Sequence, residues 1–280
     1  MRIRGSYAVV TGASRGLGRA LAIELARQGA ARVALIARDA GALGDTAEVV
    51  RAAGAEAMVV PCDLNRPPDI ALAAGAVLEA FGGRVDLLVN AAGVGVWRRF
   101  LDTGEEEHAE MMAVNYWGAF WWIRGLLPSM LSRRRGRIIN VSSGSARIAL
   151  ATSAGYSASK AALTALSESL HREFRSQGVG TLVVHPGNID TAFWQSGRIA
   201  LGEVPPLIRL APKLRAAGAA RSILRAARFG MASRTFPLPV AVLARLNQLW
   251  VRAGDFLLWR WGLPLLLALL LGRAVWRFLT

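Results

Sequence analysis

The chain is poor in the residues that build covalent or metallic scaffolds. It has one cysteine, Cys62, and three histidines, His108, His171 and His185, in 280 residues. One thiol excludes an internal disulfide, and so few scattered ligands argue against a metal centre. Acids are scarce too: 19 Asp and Glu stand against 34 Lys and Arg, a net charge of +15. Lysine is nearly absent; only Lys160 and Lys213 occur, and every other cation is arginine. There are three tyrosines, Tyr7, Tyr116 and Tyr156. No uninterrupted apolar run reaches the ~20 residues of a spanning helix. The apolar stretch at Tyr7–Val10 is too short for a secretory leader, and the first strand is expected to begin there.

Hydrophobic residues make up 53% of the chain, ample for a core. Short apolar runs at Tyr7–Thr11, Arg32–Ala37, Ala57–Cys62, Val85–Asn90, Arg137–Ser142 and Thr181–His185 predict strands. Helical periodicity over Gly18–Gln28, Ala42–Ala53, Ile70–Phe81, Glu105–Leu131 and Ala154–Ser176 separates them. Such alternation predicts an α/β chain of βαβ units, with a parallel sheet covered on both faces. Ligands then bind beyond the carboxyl ends of the strands. The rhythm fades around Thr191–Pro206, where arginine-rich helical segments take over.

Against this scarcity of lysine and tyrosine, Tyr156 and Lys160 stand four residues apart, one helical turn on one face. An ammonium beside a phenol favours the phenolate and is expected to draw its pKa down toward neutrality. A phenol so tuned can exchange a proton with a substrate oxygen. Ser143 lies thirteen residues earlier. Upstream, Thr11-Gly12-Ala13-Ser14-Arg15-Gly16-Leu17-Gly18 joins the first strand to the first helix. Glycines there permit a tight turn and close approach to a pyrophosphate, which the helix N-terminus attracts. Arg38 follows the second strand where an acid would select a ribose 2′-hydroxyl; with Arg15 it can grip a 2′-phosphate, which favours NADPH over NAD. Asp39 could instead contact the ribose. Asp63 and Leu64 end the third strand, where an adenine amine could bind; Asp63 also reads as a turn or helix cap. Asn90, Ala91 and Gly93 end the fourth strand.

Together these residues resemble the short-chain dehydrogenase/reductase family. The resemblance covers roughly residues 5–191 and rests on TGASRGLG at 11–18, NAAG at 90–93, Asn115, Ser143, YSASK at 156–160 and PGNIDT at 186–191. NAAG stands where many members have NNAG. The resemblance implies a Rossmann-type doubly wound sheet with one further strand, as a catalytic domain over 1–235, with 236–280 as a C-terminal helical extension outside the common pattern. It implies NADP-dependent interconversion of a ketone and a secondary alcohol. Tyr156 would be the general acid, Lys160 would tune it and bond the nicotinamide ribose, and Ser143 would donate to the substrate oxygen. Asn115 would hold a water linking Lys160 to solvent. Pro186, Gly187, Ile189 and Thr191 would close over the nicotinamide, while His185 reads as packing. It also implies a homo-oligomer. A non-catalytic NADP(H)-binding regulatory or scaffolding protein is the alternative, and its usual mark, loss of the tyrosine or lysine, is absent.

The expected substrate loops carry Val94, Val96, Trp97, Ile148, Leu150, Phe193, Trp194, Leu207 and Ile208, which suits a hydrophobic carbonyl or alcohol of lipid, steroid or polyketide type. Trp117, Phe120, Trp121 and Trp122 read as core or subunit interface, and Arg133–Arg137 as a solvated turn. From Arg198 onward, 13 basic and 2 acidic residues accumulate. Leu243, Leu246, Trp250, Leu257 and Trp261 share a helical face, and Leu263–Leu271 holds seven leucines. This pattern fits peripheral contact of 240–280 with an anionic membrane surface, or burial against a partner subunit or the substrate pocket. A cytoplasmic protein, peripheral on the cytoplasmic face of a membrane, is expected. No recognised nucleic-acid motif accompanies the arginines.

Overall fold

A strand buried on both faces sends alternate side chains to opposite sides and so reads as a continuous apolar run. In the computed structural model, which describes residues 2–195, 198–205, 208–209 and 211–249, five such runs and one less buried edge run form β1 (Tyr7–Thr11), β2 (Arg32–Ala37), β3 (Glu56–Pro61, the edge run), β4 (Leu87–Asn90), β5 (Gly136–Val141) and β6 (Val179–Pro186). They join a later strand, β9 (Ser233–Phe236), in a seven-stranded sheet of order β3-β2-β1-β4-β5-β6-β9, parallel throughout. Two short strands, β7 (Ile189–Asp190) and β8 (Leu214–Arg215), pair separately and hold together the ends of the segment between them.

The crossovers are α1 (Gly16–Arg27), α2 (Ala40–Ala52), α3 (Pro67–Ala80), α4 (Glu105–Met112) with α5 (Gly118–Ser132), α6 (Ala154–Phe174) and α7 (Ala216–Arg228). Alternation along β1 divides the core. Ala8 and Val10 pack with Leu21 of α1, Leu43 of α2 and Ile223 of α7. Val9 packs on the opposite side with Ile70 of α3 and Trp122 of α5. This is the doubly wound Rossmann-type arrangement, with the strand order reversing between β1 and β4.

Three features depart from the sequence reading. The helix expected over Glu105–Leu131 is divided by a π turn, Ala113–Trp117, which carries Asn115. The βα rhythm does not end near Thr191–Pro206: α7 and β9 add another unit. The buried face of α7 is mostly alanine, with Ile223 and Leu224, while Arg221, Arg225 and Arg228 are exposed. The third departure is Arg137: it lies in the strand expected over Arg137–Ser142, but it is 7% exposed rather than part of a solvated turn.

The last helix among the described residues, α8 (Leu238–Leu249), lies in the region 236–280 and sits on the catalytic end of the sheet. Cβ atoms placed on Gly144 and Gly187 would each meet Val240 at 3.0 Å, and Asn247 Nδ2 donates to Arg147 O at 3.2 Å. The described part of this region therefore braces the loops that follow Ser143 and Pro186. Leu207, Trp250, Leu257, Trp261 and the Leu263–Leu271 run lie outside the described residues. Among the described residues no helix is long and apolar enough to cross a membrane.

Candidate functional site

The loops at the carboxyl ends of β1 and β4 meet at the reversal of strand order. Gly12 has φ +69°, and a Cβ there would fall 2.8 Å from Ala92 Cα; a Cβ on Gly18 would fall 2.2 Å from Gly12 O. Only glycine permits this approach. Thr11 Oγ1 fastens the two loops by accepting from Ala91 N at 3.1 Å and Ala92 N at 3.3 Å. Helix α1 begins without an acidic residue in its first turn, and its N-cap, Arg15, makes no side-chain cap bond. Its first N–H groups, next to Ser14, Gly16 and Leu17, thus remain available to an anion. A Cβ on Gly16 would stand 3.3 Å from Thr191 Cβ, so Thr191 closes over this loop. The cradle fits the pyrophosphate of a dinucleotide.

At the end of β2, Asp39 Oδ1 accepts from Ala42 N at 3.0 Å and caps α2. Arg38 and Arg15 are exposed. Asp63 Oδ1 accepts from Asn65 N at 3.0 Å in a tight turn, and Leu64 is buried against Gly118. Asn90 donates to Asn140 Oδ1 at 2.8 Å, and Asn140 donates to Ser167 Oγ at 2.8 Å, a buried polar chain tying β4, β5 and α6. Asn140, Ser167 and Thr11 were not singled out from sequence as site residues, though Thr11 lies within the glycine-rich motif itself.

The structure brings Ser143, Tyr156 and Lys160 together below this cradle. Ser143 follows β5 and caps a short 3-10 turn, its Oγ accepting from Ser145 N at 3.1 Å. Lys160 is 3% exposed, donates from Nζ to Val141 O at 3.0 Å and lies 5.9 Å from the centre of the Tyr156 ring. A Cβ on Gly93 would come within 3.2 Å of Lys160 Nζ and of Asn115 Oδ1, so the NAAG turn needs its glycine. No carboxylate among the described residues forms an ion pair with Lys160. A buried ammonium with donors to spare suits a polyhydroxyl ligand such as a ribose. At the end of β6, Gly187 N donates to Phe236 O at 2.8 Å, which fixes the turn between Pro186 and Ile189.

The electrostatics differ from the sequence expectation. Burial pushes the Tyr156 phenol up to about 12, with a hydrogen bond from Ser143 pulling the other way. Burial brings Lys160 down to about 8. Depth beneath the protein surface outweighs the pairing of the two groups, so the tyrosine is a neutral proton donor at pH 7. Its direction of shift is therefore opposite to that inferred from spacing alone. His185 is buried and pushed down to about 3 by burial and by the Arg147 charge, with Nε2 3.2 Å from Thr164 Oγ1; it is a neutral packing residue, as expected.

Asn115 is committed to positioning. Its Nδ2 donates to Val94 O and Ser159 Oγ, each at 2.9 Å, and its Oδ1 accepts from Val94 N at 2.9 Å. The π turn offers this side chain to the loop after β4 and to α6 at once.

An aromatic cover lies over Tyr156. The Trp97 ring is 4.8 Å from the Tyr156 ring, 6.0 Å from Phe193 and 5.6 Å from Trp194. Val94, Val96, Met111, Ile199, Val204 and Ile208 complete the cluster. Ile148 and Leu150, expected beside them, are not part of it. The cover is strapped down by Trp97 N donating to Arg198 O at 3.1 Å and Ala200 N to Trp97 O at 3.0 Å. Ion pairs Arg198–Glu110 at 2.6 Å and Arg98–Glu107 at 2.9 Å fasten it to α4. The surroundings of the Tyr156 ring on this side are thus rings and aliphatic groups.

Comparison with known proteins agrees with this geometry. Residues 6–200 match the family model described as short chain dehydrogenase. The chain is 35% identical over 195 residues to Dehydrogenase/reductase SDR family member 7B of Bos taurus, a match spanning 68% of this chain and 59% of that protein. In structure it is similar to a short chain dehydrogenase/reductase from Burkholderia phymatum in complex with NAD, with a TM-score of 0.81 and 28% identity over 90% of this chain and 96% of that one. It is also similar to a short chain dehydrogenase from Burkholderia cenocepacia J2315 in complex with NADP, with a TM-score of 0.77 and 30% identity over 92% and 99% of the two chains. A glycine-floored cradle at the strand reversal, the clustered Ser143, Tyr156 and Lys160, and a family match over most of the chain together show that this protein is an oxidoreductase of the short-chain dehydrogenase/reductase family.

Proposed function

We propose that the protein is an NADPH-dependent oxidoreductase that interconverts a ketone and a secondary alcohol on a hydrophobic substrate. The observation that carries this reading is the gathering of half-buried Ser143 and buried Lys160 around Tyr156, which is itself buried beneath the aromatic cover formed by Trp97, Phe193 and Trp194. The nicotinamide, when bound, supplies or accepts the hydride. The neutral Tyr156 phenol donates its proton to the substrate oxygen as negative charge develops there, and Ser143 Oγ donates a hydrogen bond to the same oxygen. Lys160 stabilises the tyrosinate left behind and offers its remaining N–H groups to the cofactor's ribose. Asn115 holds the Val94 loop and Ser159 in register with them.

Preference for NADPH is supported by the capping role of Asp39, which occupies the one acid near the end of β2, and by the exposed Arg38 next to it and the exposed Arg15 of the glycine-rich loop. Two guanidiniums match a 2′-phosphate. The exposed Trp117, flanked by Tyr116, Phe120 and Trp121 in mutual ring contact, is the surface through which two copies would pair. The basic, leucine-rich sequence after α8 supports peripheral attachment to anionic lipid.

The test is a panel of lipophilic ketones with NADPH and with NADH, followed by nicotinamide absorbance. Ketone-dependent oxidation, faster with NADPH, is the expected result. Absence of turnover with every ketone and both nucleotides would overturn the reading.

A further inference from the structure

The amino end of the sheet, away from the catalytic crevice, holds a second concavity. A cavity of about 260 Å³ is lined by Arg2, Arg134, Arg135 and Arg137, with Asp86 as the one acid among its lining residues. The remaining lining is mostly glycine, including Gly178 and Gly180. Arg137, the second residue of β5, is in register with Gly180 of β6. A Cβ on Gly180 would fall 2.4 Å from Arg137 Nη1, so the missing side chain is what admits the guanidinium.

That guanidinium is buried without a counter-charge. The Arg137 residue is 7% exposed, Nη2 donates to Met231 O, and Nε has no partner. No carboxylate forms an ion pair with it among the described residues. Burial alone lowers its pKa to about 10. Asp86 does not serve as its partner. Its Oδ2 is taken by Arg84 at 2.8 Å and its Oδ1 by Arg133 at 3.0 Å, with Arg135 at 3.9 Å. At the rim, Arg134 adopts φ +46°, a left-handed conformation that a non-glycine residue rarely takes, and is exposed. A buried cation is costly unless an anion meets it, and guanidinium forks match the oxygens of phosphate.

We propose that this cavity binds a small phosphate-bearing ligand, with Arg137 as the buried contact and Arg134 and Arg135 at the entrance. The site is separate from the dinucleotide cradle. β5 begins here at Gly136 and Arg137 and ends at Val141, two residues before Ser143. The two sites thus occupy opposite ends of one strand.

The experiment uses the full chain and inorganic phosphate. Thermal midpoints are measured against phosphate concentration, with sodium chloride at matched ionic strength as the reference, in wild type and three variants. Arg137→Gln removes the buried contact, Arg134→Ala/Arg135→Ala alters only exposed rim side chains, and Arg15→Ala/Arg38→Ala removes the two guanidiniums assigned to the dinucleotide's 2′-phosphate. A saturable rise in midpoint is expected in wild type and in Arg15→Ala/Arg38→Ala. It should vanish in Arg137→Gln and need at least tenfold more phosphate in Arg134→Ala/Arg135→Ala. If Arg137→Gln does not fold, the rim variant decides alone. The proposal is overturned if wild type responds no more to phosphate than to chloride, if the rim variant responds like wild type, or if only Arg15→Ala/Arg38→Ala loses the response.

Discussion

Replacing Lys160 with methionine should stabilise the protein at neutral pH while abolishing turnover. The lysine is 3% exposed, and burial lowers it from 10.5 to about 8. At ~1.4 kcal/mol for each pKa unit, keeping the ammonium charged at pH 7 costs about 3 kcal/mol. Methionine keeps an apolar stem of similar length but loses the 3.0 Å bond to Val141 O, worth about 1.5–3 kcal/mol for a charged donor. The net gain is ~1 kcal/mol, or ~2–4 °C in midpoint for a chain of this size. Its pH dependence identifies the cause. The unfolded amine holds its proton up to 10.5, whereas the folded amine releases it near 8, so wild type gains stability as pH rises through that window. The variant does not. Its lead of ~1 kcal/mol at pH 7 should become a deficit of ~2 kcal/mol near pH 10.5. Urea midpoints of both proteins at pH 7, 8, 9 and 10, without added nucleotide, measure this. A difference that stays constant with pH would refute the reasoning, because desolvation of the charge would then not be its source.

Other consequences follow from the same structure. Gly18→Ala forces a Cβ to within 2.2 Å of Gly12 O; it should cost ~1–3 kcal/mol of stability and weaken NADPH binding at least tenfold by fluorescence titration. Gly44→Ala, in α2 with nothing within 4 Å of the new Cβ, should instead stabilise by ~0.5–1 kcal/mol. His185, held near 3 against 6.5 when unfolded, makes the fold lose up to ~4–5 kcal/mol as pH falls through that range. The His185→Gln variant should therefore show a shallower decline in urea midpoint between pH 6.5 and 3. Arg38→Ala should reduce the ratio of kcat/KM for NADPH over NADH at least tenfold, measured with one ketone; an unchanged ratio would remove Arg38 from the 2′-phosphate.

The sheet through β6 and the glycine cradle were legible because they impose themselves on short stretches of chain. Val9-Val10 and Leu87-Leu88-Val89 are apolar on both faces, as a central parallel strand requires. Gly12 and Gly18 stand where no side chain fits. What stayed hidden depends on residues distant in sequence. α7 buries mostly alanines between arginines, and β9 reads Ser-Arg-Thr-Phe, so neither displays an apolar run. The π turn at Asn115 leaves helical periodicity almost unaltered. The spacing of Tyr156 and Lys160 is visible in sequence, but their depth beneath Trp97 and Phe193 is not, and depth decides the direction of both pKa shifts. Arg137 looked like part of a solvated basic turn because its burial depends on Gly180, across the neighbouring strand. The tail beyond α8 lies outside the described residues.

The most direct test of the account is a comparison of wild type with Tyr156→Phe, using NADPH and whichever lipophilic ketone turns over fastest. Phenylalanine preserves the ring contacts with Trp97 and Phe193 and removes only the hydroxyl. Nucleotide affinity should remain within a few-fold of wild type while ketone-dependent NADPH oxidation falls by about a thousandfold or more, in the range expected for loss of a general acid. Undiminished turnover in the phenylalanine variant would contradict the account at its centre, which assigns the transferred proton to Tyr156.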